Sequence, residues 1–449
     1  MSDATIPWQG PSRVPARPRR SRLRLPKAFE TLSPDDRAFA LAPVVSWDAV
    51  FSFVLFSSML FVLELGSLGA ALFCATTFAC FAARVRAFPA TLREYWYLLP
   101  FPLFIVLSFL WSNVPIETLK HGAEFAITIL AAIFIVSSRN QKSMLLGIFA
   151  AFVLYTAVSL AMGHMVDVGD NGARALSGLS DSKNEEADMA ATGLVISMFL
   201  FAVGVRLRMP AIATAGGAAA ALQLYVTVRA LSSGAIGGAA AALLVLAGLL
   251  AMRKAGRNGR NGMLVAALLT AAMLMALFSL TSVSPLTWAA SLFGKDATLT
   301  GRTYLWFRAR DFVAEHPLLG QGYGAFWQQG NLDAEGLWQF GRITTRQGFN
   351  FHNTLYDVLV SLGWIGVTVL AFTFAAGMLR LVTNYIRNAS LMTCFWLAMG
   401  TYLFVRMPTE CVGFNEFYFS TVLLFALLGA QTVRPAPGSE ADASVRPAA

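Results

Sequence analysis

Charge is what this sequence has least of. Only 13% of its residues are Asp, Glu, Lys or Arg, where a soluble domain carries about 25%. Hydrophobic residues make up 56%, and Phe alone occurs 35 times. No soluble chain of 449 residues covers so much apolar surface with so few charges. This excludes a soluble enzyme, a disordered protein and a nucleic-acid binder. Cysteine is also scarce. Cys74, Cys80, Cys394 and Cys411 are too scattered for a disulfide framework, and none forms a CxxC pair. Metal-ligand spacings are missing too: no HxxH, HExxH or DxD stands between the runs that face outward. The first 44 residues lack the apolar core of a cleavable signal peptide.

What is present is a series of long apolar runs. A spanning helix needs about 20 mostly apolar residues. Twelve runs qualify: roughly 48–65, 67–83, 96–111, 121–137, 143–162, 188–205, 209–227, 235–252, 262–282, 354–377, 389–405 and 414–431. The net charge of +9 comes from short basic clusters between them. If the N-terminus is cytoplasmic, every short inner connection is basic: Arg84, Arg86 and Arg93; Arg139 and Lys142; Arg206 and Arg208; Arg253, Lys254, Arg257 and Arg260; Arg380 and Arg387. The positive-inside rule then gives an all-α polytopic membrane protein of about 12 transmembrane helices, with both termini cytoplasmic. The expected organisation is a basic disordered tail over 1–44, spans one to nine over 45–282, a large outer loop over 283–353, spans ten to twelve over 354–431 and a disordered tail over 432–449. The two tails are expected on the cytoplasmic side.

The outer loop breaks the rhythm of short connections. It runs for about 70 residues, contains Trp288, Trp306, Trp327 and Trp338, and is neither Ser/Pro-rich nor of low complexity. It is expected to be folded. Thr300 is placed to cap a helix running to about Glu315, ended by Pro317. Arg302, Trp306 and Arg310 recur at four-residue spacing near one face of it.

Three stretches resemble the O-antigen ligase and polymerase superfamily of bacterial envelope enzymes. The first is Gly301-Arg302-Thr303-Tyr304-Leu305-Trp306, followed by His316-Pro317-Leu318-Leu319-Gly320-Gln321-Gly322-Tyr323-Gly324. The second is Phe351-His352-Asn353-Thr354-Leu355-Tyr356-Asp357, continuing to Leu362-Gly363-Trp364-Ile365-Gly366. The third is Gly178 with Lys183-Asn184. Arg406, Thr409-Glu410 and Asn415 are similar to the branch that polymerises succinoglycan-type exopolysaccharide repeats. One departure is Val228-Arg229-Ala230-Leu231-Ser232-Ser233-Gly234, where many ligases carry a Ser-Arg pair.

The resemblance implies a GT-C-like helical bundle with one large folded periplasmic loop in the bacterial inner membrane. It implies an inverting, metal-independent glycosyltransferase without a cofactor. Such an enzyme moves glycan from a polyprenyl-pyrophosphate carrier to a sugar hydroxyl on the periplasmic face. The partners to expect are the lipid-linked glycan donor, the glycan acceptor, the bilayer, a chain-length regulator and export proteins, with no nucleic acid. Polymerisation of repeat units is the leading expectation. The alternatives are an O-antigen ligase that transfers glycan to lipid A core and, in another class, a flippase or exporter of lipid-linked sugars.

That chemistry needs fixed cations, because the pyrophosphate leaving group gains negative charge as the glycosidic bond breaks. Arginine binds phosphate oxygens in pairs and stays charged when poorly hydrated. Arg302 is the first candidate, with Arg174, Lys183, Arg229 and Arg406 as further outward-facing cations. Arg308, Arg342 and Arg346 are expected to pair with neighbouring carboxylates. A histidine of near-neutral pKa is a natural base for the attacking hydroxyl, and His352 stands at the start of span ten. Asn353 and Asp357 follow on one helical face as orienting groups, and Trp306 is a binding candidate. Arg406 and Glu410 flank a short outer turn, either as a mutual ion pair or as a substrate-contacting pair. Glu185, Glu186 and Asp188 are expected to solvate the start of span six. Asp48, Glu64 and Glu124, near span ends, carry no expected role.

Overall fold

A computed structural model describes residues 32–168, 173–279, 301–346 and 349–430. The expectations for most of the two tails, for Thr300 and for the start of the outer loop lie outside the described residues. The chain is a multi-pass, all-α membrane protein. Among the described residues, seven helices are long and apolar enough to cross a membrane, and shorter apolar helices accompany them.

The described helices are α1 (Pro34–Leu41), α2 (Trp47–Leu60), α3 (Val62–Leu65), α4 (Ser67–Arg84), α5 (Phe88–Glu94), α6 (Pro100–Leu107), α7 (Pro115–Val136), α8 (Gln141–Met162), α9 (Lys183–Arg206), α10 (Pro210–Arg229), α11 (Ser233–Met252), α12 (Arg257–Ser279), α13 (Arg302–Glu315), α14 (Leu332–Gly341), α15 (Thr354–Asn388), α16 (Leu391–Arg406) and α17 (Phe419–Gly429). Polar caps set many of their starts. Ser46, Asn140, Ser182, Asn353 and Ser390 each accept a backbone N–H of the first turn. Pro115 and Pro210 open α7 and α10, where a missing N–H costs nothing.

Each expected apolar run falls on helix, with two informative differences. Run 96–111 is broken into short helical pieces around α6, where Pro100 and Pro102 interrupt the ladder. Run 414–431 becomes helical only at Phe419, because 407–418 fold into a polar turn. All of α17 is buried, so this helix packs inside the bundle and meets no lipid. An antiparallel hairpin departs from the all-helix expectation: β1 (His164–Val168) pairs with β2 (Ala173–Gly178) between α8 and α9. The bundle core gathers Phe101, Phe125, Phe152, Phe395, Trp396 and Phe425. Small residues let α9 and α10 approach closely: a Cβ on Gly216 would stand 2.6 Å from Phe201 N.

One end of the bundle is tied by arginine–aspartate pairs. Arg253 meets Asp36 at 2.5 Å, and Arg84 meets Asp48 at 2.7 Å. Asp48 therefore has a partner that its position near a span end did not suggest. The outer segment packs on the opposite end. Leu305, Ala309, Phe312, Phe326, Leu337 and Trp338 form a small core of its own, closed by Phe351 and Val360. Its first described helix starts on Gly301 at φ 85°.

The segment is clamped to α15 by backbone hydrogen bonds. Gln321 N donates to Val360 O (3.0 Å), Gly322 N to Ser361 O (2.8 Å), Trp364 N to Pro317 O (2.9 Å) and Ile365 N to Leu318 O (3.1 Å). These carbonyls and amides are free only because α15 kinks at Gly363, at φ 63°. A Cβ there would strike the backbone of Leu318, so glycine meets both demands. The two long motif stretches of the sequence are thus two halves of one joint.

Candidate functional site

Where α13, α15 and α16 meet, three side chains converge on one carboxylate. Arg406 stands at the end of α16. Pro408 follows, and the chain turns tightly, with Thr409 N and Glu410 N both donating to Arg406 O at 2.9 Å. Thr354 fastens this turn to the start of α15: its hydroxyl donates to Glu410 O at 3.1 Å and accepts from Val412 N at 2.8 Å. Glu410 is thereby aimed at the base of the outer segment.

Its two oxygens serve different partners. Oε1 accepts from Arg302 Nη2 at 2.5 Å and from Arg406 Nη2 at 3.2 Å. Oε2 lies 3.0 Å from His352 Nδ1. Burial opposes ionisation of Glu410, yet Arg302, then His352 and Arg406, overturn that and hold its carboxyl well below the usual carboxylate range. Arg406 is buried and forms a fork with Asp188, Nε to Oδ1 at 2.6 Å and Nη2 to Oδ2 at 2.9 Å. Tyr402 OH donates to the same Asp188 Oδ1 at 2.6 Å.

His352 is held in an unusual backbone state, at φ 49°. Its N–H donates to Asn350 Oδ1 at 2.8 Å, and its ring stands edge-on to Phe349. Its side chain is 28% exposed, against 14% for Glu410, so the ring forms the open side of the cluster. The neighbouring motif residues fix it in place. Asp357 Oδ1 accepts from Phe351 N at 3.0 Å, and Trp306 Nε1 donates to Phe351 O at 2.9 Å. Asn353 caps α15 and donates to Pro408 O at 3.1 Å. Asn353, Asp357 and Trp306 thus shape the loop that presents His352.

The remaining cations take other places. Lys183 donates to Leu231 O at 3.2 Å and steadies the turn into α11. In that turn Gly234 leaves room for Arg406, since a Cβ would collide with its Nη1. Arg229 ends α10 in an exposed position. Arg174 is exposed on the hairpin and pairs with Asp167 at 3.6 Å. Arg308 pairs with Asp311 and Asp333, Arg346 pairs with Glu335, and Arg342 ends α14. The site therefore gathers Arg302, Arg406, His352 and Glu410 in direct contact. At rest both guanidinium groups are compensated by carboxylates, as buried charges require.

Sequence reasoning missed the acidic start of α9. Glu185, Glu186 and Asp188 do not solvate it. Asp188 carries Arg406, Glu185 Oε1 accepts from Tyr418 OH at 3.1 Å, and Glu186 Oε2 accepts from Tyr155 OH at 3.0 Å. The available signal was three carboxylates entering an apolar run, which in a membrane calls for named partners. A second cluster also escaped notice. His121, Glu124 and Glu416 come from two segments almost 300 residues apart, and they are the residue types that hold a metal ion.

Comparison with known proteins supports the same picture. The family model described as O-antigen ligase matches residues 193–371, which spans α9 to α15 and includes Arg302 and His352. The chain is similar to the exopolysaccharide production protein ExoQ of Rhizobium meliloti (strain 1021), with 27% identity over 345 residues, or 76% of this chain and 78% of the relative. The motif residues, the membrane bundle and these two matches together make the chain similar to the O-antigen ligase and polymerase superfamily.

Proposed function

We propose that the protein is an inner-membrane glycosyltransferase that polymerises polyprenyl-pyrophosphate-linked oligosaccharide repeats into exopolysaccharide on the periplasmic face. The observation that carries this reading is the convergence of Arg302, Arg406 and His352 on Glu410 beneath the outer segment.

The carboxylate sets the tautomer. With Nδ1–H donated to Glu410 Oε2, the lone pair of His352 lies on Nε2, on the more exposed side. The acceptor hydroxyl donates its proton to that nitrogen as its oxygen attacks the anomeric carbon of the donor. The bond from that carbon to the pyrophosphate oxygen breaks, and the lipid pyrophosphate leaves with the electron pair. One displacement from the far side inverts the anomeric configuration. The imidazolium that forms is stabilised by Glu410, the logic of a catalytic triad. Arg302 has five N–H donors. One is engaged with Glu410, and its outer edge addresses the phosphate oxygens as charge develops. Arg406, locked by Asp188, keeps Glu410 ionised and in place. Lys183, Arg229 and Arg174 contribute to long-range attraction of the anionic donor. Both termini are cytoplasmic, and the transfer step uses no metal ion.

The relative's name, an exopolysaccharide production protein, favours polymer synthesis. The matched family's description favours transfer to lipid A core as the second reading. A deletion strain separates them. Loss of long polymer with single repeat units retained supports the polymerase. Long polymer persisting on carrier lipid supports the ligase. Purified protein in vesicles with donor on the outer face tests the chemistry itself: new glycosidic linkages are expected, and a flippase would form none.

A further inference from the structure

We propose that His121, Glu124 and Glu416 bind one Zn²⁺ ion, which fastens the turn over 407–418 to α7. The three ligand atoms lie within 4.8 Å of one another. His121 Nδ1 is 2.8 Å from Glu416 Oε1 and 3.3 Å from Glu124 Oε2. A single N–H points at one acceptor only, so a proton serves one of these carboxylates and leaves the other facing it. A divalent cation serves all three at once, and its charge balances two carboxylates around a neutral imidazole. The 3.3 Å separation matches two atoms about 2.0–2.2 Å from a tetrahedral metal, and the 2.8 Å pair would open by about half an ångström on binding. One nitrogen with few oxygens suits zinc, whereas calcium takes about 6–8 oxygens.

The surroundings hold these ligands as a metal site requires. Glu117 Oε2 stands 4.0 Å from His121 Nε2, near enough to steady the far side of the imidazole electrostatically but beyond hydrogen-bond reach. Tyr323 OH donates to Glu416 Oε2 at 2.5 Å, which turns Oε1 towards His121. Gly324 packs on the imidazole, where a Cβ would stand 3.0 Å from Cδ2. The three ligand side chains are each about a quarter exposed, so a fourth, water-borne position is reachable.

The consequence lies in what the ligands join. His121 and Glu124 belong to α7, and Glu416 belongs to the turn that also carries Glu410. Tyr323 belongs to the outer segment, and its amide is held by Ser108 Oγ at 3.0 Å. A metal here pins the Glu410 turn to one rigid helix, and the outer segment meets that joint through the Tyr323 hydrogen bond, outside the transfer step itself.

The test uses the full-length protein in detergent, stripped with a chelator and titrated with Zn²⁺. Calorimetry is expected to show one equivalent bound, with a rise in melting temperature. X-ray absorption is expected to show nitrogen and oxygen ligands and no sulfur. Glu124→Gln, which removes a partly exposed ligand, is expected to weaken binding about a hundredfold, and Tyr323→Phe about tenfold or more. His121→Ala should abolish stoichiometric binding. Absence of saturable binding, sulfur in the coordination shell, or unchanged affinity in both His121→Ala and Glu124→Gln would overturn the proposal. None of these readouts depends on glycan transfer, so the outcome is separable from the proposed function.

Discussion

His352 Nδ1 and Glu410 Oε2 lie 3.0 Å apart, although 58 residues separate them in the chain. This pair orients the ring of a histidine at a helix entrance, and it ties the last polar turn of the bundle to the outer segment. Glu410→Gln keeps the shape but removes the charge and the tautomer preference. Transfer is expected to fall by about 10²–10⁴-fold. Steady-state assay with lipid-linked repeats, alongside a thermal melt, checks it.

In the proposed transfer, Arg302 acts through geometry as well as charge. Arg302→Lys keeps the charge but loses the planar fork. The donor KM is expected to rise and kcat to fall, with the fold retained by circular dichroism. A variant with unimpaired kinetics would remove Arg302 from the donor site.

Asp188 is expected to be a stability residue. Asp188→Asn leaves the buried Arg406 guanidinium with half its compensation, and breaking a buried pair costs about 3–5 kcal/mol. A clear drop in melting temperature in detergent is the expected result. An unchanged melt would show that Glu410 alone satisfies Arg406.

The pH dependence follows from the depressed Glu410 carboxyl. A carboxylate whose folded-state pKa lies below the ordinary 4.5 stabilises the fold above that value and loses this contribution only at lower pH. The melting-temperature gap between the native sequence and Glu410→Gln should therefore be constant from pH 7 to about 4.5, and should shrink below it. A gap that closes already between pH 7 and 5 would contradict the ionised cluster.

Gly363 tests the joint between the motif stretches. Gly363→Ala places a Cβ against the Leu318 backbone at positive φ. The outer segment should loosen, seen as faster proteolysis within 301–346. Resistance equal to that of the native protein would show that the joint tolerates a side chain.

Hydropathy was legible because lipid demands long apolar runs, and each run met a helix. The motif residues Arg302 and His352 were legible because their order along the chain is distinctive. What the sequence hid is pairing across distance. Nothing local in Asp188 announces Arg406, 218 residues away, or in His121 announces Glu416, 295 residues away. Carboxylates near span ends read as solvated when counted by position. In the fold Asp188, Glu185 and Glu186 stand beside a guanidinium and tyrosines, where desolvation forces partnership. Arg174 shows the converse: an outward cation suggests a ligand site, yet its exposed hairpin partner Asp167 already meets it.

The central claim is that His352 takes the acceptor proton in glycan transfer from the lipid pyrophosphate. The most direct test is polymerisation of purified lipid-linked repeats by the native protein and His352→Ala, with donor binding measured in parallel. The account predicts a loss of transfer of about 10²–10⁴-fold with donor binding retained. Native transfer rates in His352→Ala would contradict it.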